Sequence, residues 1–257
     1  MKSDTLKISE IAAYLEQKTE LTADEIDALA GDSRQGVQVL LKRFNRRRKT
    51  GEAELKRLDI MLVEERLLWD RGLSKIAGVD EAGRGPLAGP VVAAAVVFYP
   101  GTVIKYLNDS KQLSAKRREN LFEEIIFRSE AYGIGSASSV EIDQINIHKA
   151  SLLAMHRALD KMNLEPDYIL VDGFPLPGCS CGQKAIIGGD ARSLTIAAAS
   201  VLAKVARDRM MLRFHEIYPG YAFNRNKGYG TAEHRQAIIK FGLTPEHRKS
   251  FKLKEEY

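Results

Sequence analysis

Residues 76–98 constrain the fold more than any other part of the chain. Ile76-Ala-Gly-Val-Asp80-Glu81 is a short apolar run closed by two carboxylates. A turn rich in glycine and proline follows, Ala82-Gly83-Arg84-Gly85-Pro86-Leu-Ala-Gly89-Pro90, and then a second apolar run, Val91-Val-Ala-Ala-Ala-Val-Val-Phe98. Val and Ile favour the pleat while Gly and Pro punctuate it, so the stretch predicts two buried strands joined by a tight loop. Neighbouring strand residues face opposite sides, so Asp80 and Glu81 cannot both face the core. Three readings of this stretch compete. A solvated acidic pair at a strand end is the ordinary one. A dinucleotide-binding loop requires a helix opening at the glycines, and Pro90–Phe98 is a strand by composition, which excludes it. The third is a carboxylate metal site beside a loop whose bare amides approach a ligand closely, and it needs further carboxylates from elsewhere.

The run Asp80-Glu81-Ala-Gly83-Arg84-Gly85-Pro-Leu-Ala-Gly-Pro resembles the signature of ribonuclease HII, the type 2 ribonucleases H. The likeness continues in order through Asp109-Ser110-Lys111, Val171-Asp172-Gly173, Gly189-Asp190 and Ile196-Ala-Ala-Ala-Ser200-Val-Leu-Ala-Lys204-Val-Ala-Arg207-Asp208-Arg209. It ends with Lys227-Gly-Tyr229-Gly-Thr231 and His247-Arg248-Lys-Ser-Phe251. Several motifs in register over roughly residues 73–252 are far more specific than any one alone.

The 257 residues suffice for one full domain plus an extension, or for two small domains. Hydrophobic content of 44% and charged content of 28% are those of an ordinary soluble globular chain. An excess of 39 Lys+Arg over 34 Asp+Glu suits a polyanionic partner. The first residues lack an apolar signal region and no stretch reaches the length of a membrane span, which predicts a cytoplasmic protein with no membrane partner. Cys179 and Cys181, two apart, have neither a second pair for zinc nor redox-motif spacing. They read as bystanders at a hairpin tip.

Residues 1–72 are charged, poor in glycine and helical by period, and form a predicted helical extension to a domain over 73–257. Thr22 to Glu25 has capping-box spacing. The basic run from Lys42 to Lys49 is either a solvated helix face or a contact for the phosphate backbone, and Trp69 is expected to pack the extension onto the domain. Beyond residue 98 the pattern predicts a helix from Ser114 and a strand near Tyr132. A helix from Ser138 to about Met162 and strands at Tyr168–Asp172 and from Lys184 follow, then a long helix from Thr195 to Ile217 and another over 231–241. The fold class is α/β: a mixed sheet of about five strands flanked by helices, with a helical crossover in its second half.

Asp80, Glu81, Asp172 and Asp190 come from three segments, each at or near the C-terminal end of a strand, the usual place for a site in an open α/β sheet. Converging carboxylates repel one another and call for positive charge between them. Hard divalent cations with oxygen ligands fit that need, and no His/Cys set with zinc spacing competes.

The resemblance implies a ribonuclease H fold with these four carboxylates as catalytic residues and ligands of two divalent ions, Mg²⁺ or Mn²⁺. It implies an endoribonuclease that acts on RNA–DNA hybrids and on single ribonucleotides in duplex DNA, cutting on the 5′ side and leaving 3′-hydroxyl and 5′-phosphate ends. Gly83, Arg84 and Gly85 match the loop that senses the 2′-hydroxyl, and Tyr229 the tyrosine that stacks on the following deoxyribose. Ser110, Lys111, Lys204 and Arg207 are the remaining candidate substrate contacts, the last three through phosphates, with surface ion pairs as their ordinary reading. The chain departs from the family's usual Asp-Ser-Lys-Lys at Gln112. Nothing in the sequence demands more than a monomer. The rivals are the sister ribonuclease HIII, which prefers long hybrids, and a non-catalytic hybrid-binding module built on residues 42–49.

Overall fold

A computed structural model describes residues 5–251. The chain divides into two compact units between Asp59 and Ile60. The first holds α1 (Ile8–Gln17), α2 (Ala23–Ala30) and most of α3 (Gln35–Met61), closed on Ile11, Leu15, Leu29, Val37, Leu41 and Phe44. The capping box at α2 forms as its spacing predicts: Thr22 accepts from Glu25 N, and the Glu25 carboxylate accepts from Thr22 N at 2.8 Å. The basic run lies on α3 and is not uniform. Lys42, Arg43, Arg46 and Lys49 are exposed, whereas Arg47 donates to the carbonyls of Leu15 at 2.5 Å and Lys18 at 2.7 Å, closing the end of α1.

The second unit begins with the last residues of α3 and α4 (Val63–Trp69). Its sheet contains β1 (Ile76–Ala82), β2 (Val91–Phe98), β3 (Ser129–Ala137), β4 (Tyr168–Asp172) and β5 (Gly182–Ile186) in the order β3-β2-β1-β4-β5. The first three strands are antiparallel, and β1, β4 and β5 are parallel, so β1 is central and its C-terminal end opens beside that of β4. The helices are α5 (Ala115–Arg128), α6 (Ser139–Ile145), α7 (Ile147–Lys161), α8 (Leu194–Ile217), α9 (Phe223–Asn226) and α10 (Ala232–Phe241).

Alternation along β1 divides its residues between two layers. Ala77 and Val79 join the core made with Ala150, Ala154, Met155 and Ala158 of α7. Ile76 packs with Ile196 of α8 on the other face, in a cluster that takes in Trp69. Gly78 meets the Thr195–Ile196 backbone there, where a Cβ would lie 2.1 Å from the Thr195 carbonyl carbon. Asp80, next on that face, therefore points at α8 as well. Glu65 of α4 fixes the first turn of α8. Its buried carboxylate accepts from Ser193 Oγ at 2.7 Å, Thr195 N at 3.0 Å and Thr195 Oγ1 at 2.9 Å. Burial holds that carboxyl above its ordinary pKa, against the lowering effect of these donors.

The structure corrects three expectations. The predicted helix from Ser138 is two helices, broken at Asn146, whose φ is +70° and whose side chain caps α7 through Lys149 N at 3.1 Å. No helix joins β4 to β5: residues 173–181 return the chain as a loop pinned by Gln183, which exchanges hydrogen bonds with the Leu176 backbone at 2.7 and 2.8 Å. Cys179 and Cys181 lie on this return loop rather than at a hairpin tip, as free thiols that burial pushes up. Trp69 packs, as expected, against residues of 73–257 (Ile76, Leu170, Ile186 and Ile196), and α4, which carries it, belongs to the second unit. No helix among the described residues is long and apolar enough to cross a membrane.

Candidate active site

The C-terminal ends of β1 and β4, the β1–β2 loop and α8 enclose a cleft of about 310 Å³. Asp80, Glu81, Gly83, Arg84, Gly85, Ser110, Lys111, Asp172, Lys204, Arg207 and Tyr229 all line it, so eleven of the twelve residues singled out from the sequence come together. The twelfth, Asp190, is on a 3₁₀ turn (Gly189–Ala191) beside the cleft and interacts electrostatically with Asp172, Asp109 and Lys111.

Asp80 is 4% exposed. It accepts from Glu81 N at 2.6 Å and from the Ser200 hydroxyl. Because Ser200 gives its one proton to Asp80, its 3.0 Å contact with Ser110 makes Ser110 the donor, and a relay runs from Ser110 through Ser200 to Asp80. Burial, then the charges of Glu81 and Asp172, push the Asp80 carboxyl well above its ordinary pKa. Burial also raises Glu81, against the pull of Arg84 at 3.1 Å. Asp190 is raised by burial and by Asp109 and Asp172. Burial alone would lower Lys111, but Asp109, Asp190, Asp80 and Asp172 outweigh it and hold the ammonium above its usual pKa. Asp172 receives Gly189 N at 2.7 Å, which ties the end of β4 to the Asp190 turn.

This is a cluster short of positive charge, made of oxygen donors alone, and hard divalent cations suit it chemically. Among the described residues no three acidic, His or Cys side chains stand close enough to ligate one ion as they lie. Glu81 is turned toward Arg84, and Asp190 is hydrogen-bonded to Asp109.

Two candidate phosphate contacts have other partners. Arg207, expected to meet a phosphate, is 1% exposed and donates to the carbonyls of Pro90, Lys227 and Ala88 at 3.0–3.1 Å. Its guanidinium holds main chain together. Lys204 lines the cleft but pairs with Asp208 at 2.7 Å, whereas Lys111 is exposed. Two participants escaped the sequence reading. Asp109, a motif residue with no role expected from the sequence, adds a fifth carboxylate. Ser200 donates to Asp80, and its place one turn after Ile196 on α8 is the sequence signal for it.

Tyr229, 46% exposed, presents its ring next to Gly85. Its carbonyl is held by a pair of buried histidines. Thr244 N donates to His247 Nδ1 at 2.9 Å, so the His247 proton is on Nε2 and is donated to His234 Nε2 at 3.0 Å; His234 Nδ1 then donates to Tyr229 O at 2.9 Å. Both rings are neutral. Burial, then His234, pushes His247 down to about 4, and burial lowers His234. An unfolded histidine takes up a proton near pH 6.5 that the folded pair refuses, so this contribution to stability is complete above about pH 6.5 and is lost as the pH falls toward 4. We expect the unfolding free energy to fall by about 2–3 kcal/mol more between pH 7 and pH 4.5 in the native chain than in His247→Phe. Urea titrations at the two pH values measure this, and parallel slopes refute it.

The model of the ribonuclease HII family matches residues 77–254, and that of the ribonuclease HII N-terminal domain matches residues 7–69. The chain belongs to the ribonuclease HII family. Ribonuclease HII of Desulfitobacterium hafniense (strain DSM 10664 / DCB-2) is 44% identical over 246 residues, covering 96% of this chain and 94% of that protein. Ribonuclease H2 from Pyrococcus horikoshii OT3 superposes with a TM-score of 0.60 at 27% identity, over 69% of this chain and 94% of the other. Bst-RNase HIII in complex with Mn²⁺ shares the fold, with a TM-score of 0.53 at 18% identity over 69% of this chain and 67% of the other. Family membership makes the chain a ribonuclease H, an endoribonuclease acting on RNA paired with DNA.

Proposed function

We propose that the chain cleaves the RNA strand of RNA–DNA hybrids and cuts on the 5′ side of single ribonucleotides in duplex DNA, leaving 3′-hydroxyl and 5′-phosphate ends. The observation that carries this reading is that Asp80, Glu81 and Asp172 share one cleft with the Gly83–Gly85 loop and the Tyr229 ring. Acid groups facing a polyanion gain nothing for binding alone, which argues against a non-catalytic hybrid-binding module. The two glycines leave main-chain amides open to a sugar, and the 2′-hydroxyl is the group that separates RNA from DNA there. Tyr229 stacks on the neighbouring deoxyribose and so favours a junction over the long hybrid of the sister family. Asp80, Glu81, Asp172 and Asp190 would hold Mg²⁺ or Mn²⁺. A pair of such ions supplies an activated water and steadies the leaving oxygen. Ser200 and Glu81 N orient Asp80, and Lys111 offers an exposed cation to a phosphate.

A DNA duplex carrying one ribonucleotide and an RNA–DNA hybrid, each incubated with Mg²⁺, Mn²⁺ or EDTA, test the reading. Ion-dependent cutting 5′ to the lone ribonucleotide supports it. Cutting of the long hybrid alone favours the sister family's preference, and tight binding without cutting favours the binding module. The first unit is proposed as a phosphate-backbone contact through Lys42, Arg43, Arg46 and Lys49. Replacing these four by Ser should weaken binding and flatten its salt dependence by about 0.9 in log–log slope per lost contact, with the cut position unchanged. A shifted cut site on a sequencing gel refutes this role.

A further inference from the structure

Arg207 and Arg248 are both buried, at 1% and 2% exposure, and among the described residues neither makes an ion pair with a carboxylate. Buried guanidinium groups ordinarily meet an acid. These two meet main-chain carbonyls instead. Arg248 Nε donates to Gly89 O at 2.9 Å, Nη1 to Arg84 O at 2.8 Å and Nη2 to Gly83 O at 2.5 Å. Arg207 takes the carbonyls of Ala88 and Pro90 from the other side and that of Lys227, two residues before Tyr229. Five of the six acceptors therefore belong to residues 83–90, which link the two central strands. The arrangement is costly. Burial, then the neighbouring Arg207 charge, brings Arg248 down to about 9, and Gly83, at φ +97°, has no room for a side chain, since a Cβ there would lie 2.0 Å from Arg207 Nε.

The planar trans peptide converts this grip on carbonyls into an orientation of amides. In each peptide unit the C=O and the following N–H point opposite ways. Drawing the Gly83 and Arg84 carbonyls onto Arg248 turns the N–H groups of Arg84 and Gly85 away from it. Neither N–H has an acceptor among the described residues, and both residues line the cleft. We propose that Arg248, backed by Arg207, is a positioning residue that aims the Arg84 and Gly85 amides at the sugar 2′ position and so sets the discrimination of a ribonucleotide from a deoxyribonucleotide. This rests on the functional reading above and adds to it the device that holds the sensing loop in its working orientation.

The test measures binding in EDTA to two duplexes of one sequence, one with a single ribonucleotide and one of DNA alone, for the native chain, Arg248→Lys and Arg248→Ala. Lysine keeps the charge but lacks the fork that takes three carbonyls. Two hydrogen bonds to the sugar are at stake, so the native preference for the ribonucleotide duplex should fall at least about tenfold in both variants. Affinity for the all-DNA duplex should stay within about threefold, and ethylguanidinium added to Arg248→Ala should restore part of the preference. A preference retained by either folded variant overturns the proposal, as does a parallel loss of affinity for both duplexes, which would make Arg248 a plain phosphate attractor. The native chain gives a second readout that needs no variant: the Arg84 and Gly85 amide resonances should shift with the ribonucleotide duplex and not with the DNA duplex. Unmoved resonances overturn the proposal even if both variants unfold. A native chain that neither cuts nor prefers the ribonucleotide duplex refutes the functional reading as well, whereas native cutting with unchanged variant preference refutes only the role of Arg248.

Discussion

Asp80→Asn should lower cleavage by about a thousandfold or more while leaving the metal-free chain at least as stable as the native one. The first half follows from the proposed role of Asp80 among the carboxylates that would hold the divalent ions, worth several kcal/mol of barrier, with each 1.4 kcal/mol counting tenfold in rate. The second half follows from what the carboxylate faces without the ions. It is buried, and Glu81 and Asp172 oppose its charge. The amide keeps the shape and still accepts from Glu81 N, its NH₂ group can donate to Ser200, and the repulsion disappears. We expect a gain of about 1 kcal/mol, or about 2–4 °C in melting temperature for a unit of this size. Added Mg²⁺ should raise the native melting temperature and raise the variant's less, because ligands that bind only the folded state stabilise by mass action. Melting scans with and without the ion, run beside the cleavage assay, separate the cases. A large drop in the variant's stability would make Asp80 a structural group, and undiminished cleavage would remove it from the chemistry.

The sequence showed the parts of this molecule that depend on local pattern. The β-branched runs around Asp80 formed the central hairpin, Thr22 and Ser114 capped helices where their spacing put them, and the mixed five-stranded sheet is present. Features set by distant partners were not legible. Apolar residues continue in helical period through Asn146, so only the backbone reversal there reveals two helices. Strand composition carries no direction, and the parallel pairing of β4 with β5 across a short loop went unforeseen. In the cleft, residue type identified the carboxylates, the glycine loop and Tyr229, because acids at strand ends and bare amides announce their chemistry. It misjudged Arg207, since an arginine on a charged helix looks the same whether it meets phosphate or main chain more than a hundred residues away in sequence. Arg248 was only a motif letter for the same reason.

Gly78→Ala should cost about 4 kcal/mol or more, beyond the usual range for an overpacked core. The added methyl would stand 2.1 Å from the Thr195 carbonyl carbon and 2.4 Å from Ile196 N. These are backbone atoms in the first turn of α8, held in place by the Glu65 carboxylate through Ser193 and Thr195. No flexible side-chain end is available to move aside, so either β1 or the start of α8 must shift. Asp80 lies two residues along the same face of β1, and its partner Ser200 lies just over one turn into α8 from the clash. Separating strand from helix therefore loosens the Asp80–Ser200 contact and moves the Asp190 turn, which leads directly into α8. Misplacement of reacting groups by about 1 Å can cost a hundredfold, so the variant should lose activity even at temperatures where it stays folded. Denaturant unfolding gives the stability loss, and cleavage measured well below the melting temperature gives the second effect. A variant of native stability would mean that α8 and β1 approach less closely than described. A destabilised variant with native cleavage would show instead that the site tolerates movement of the helix.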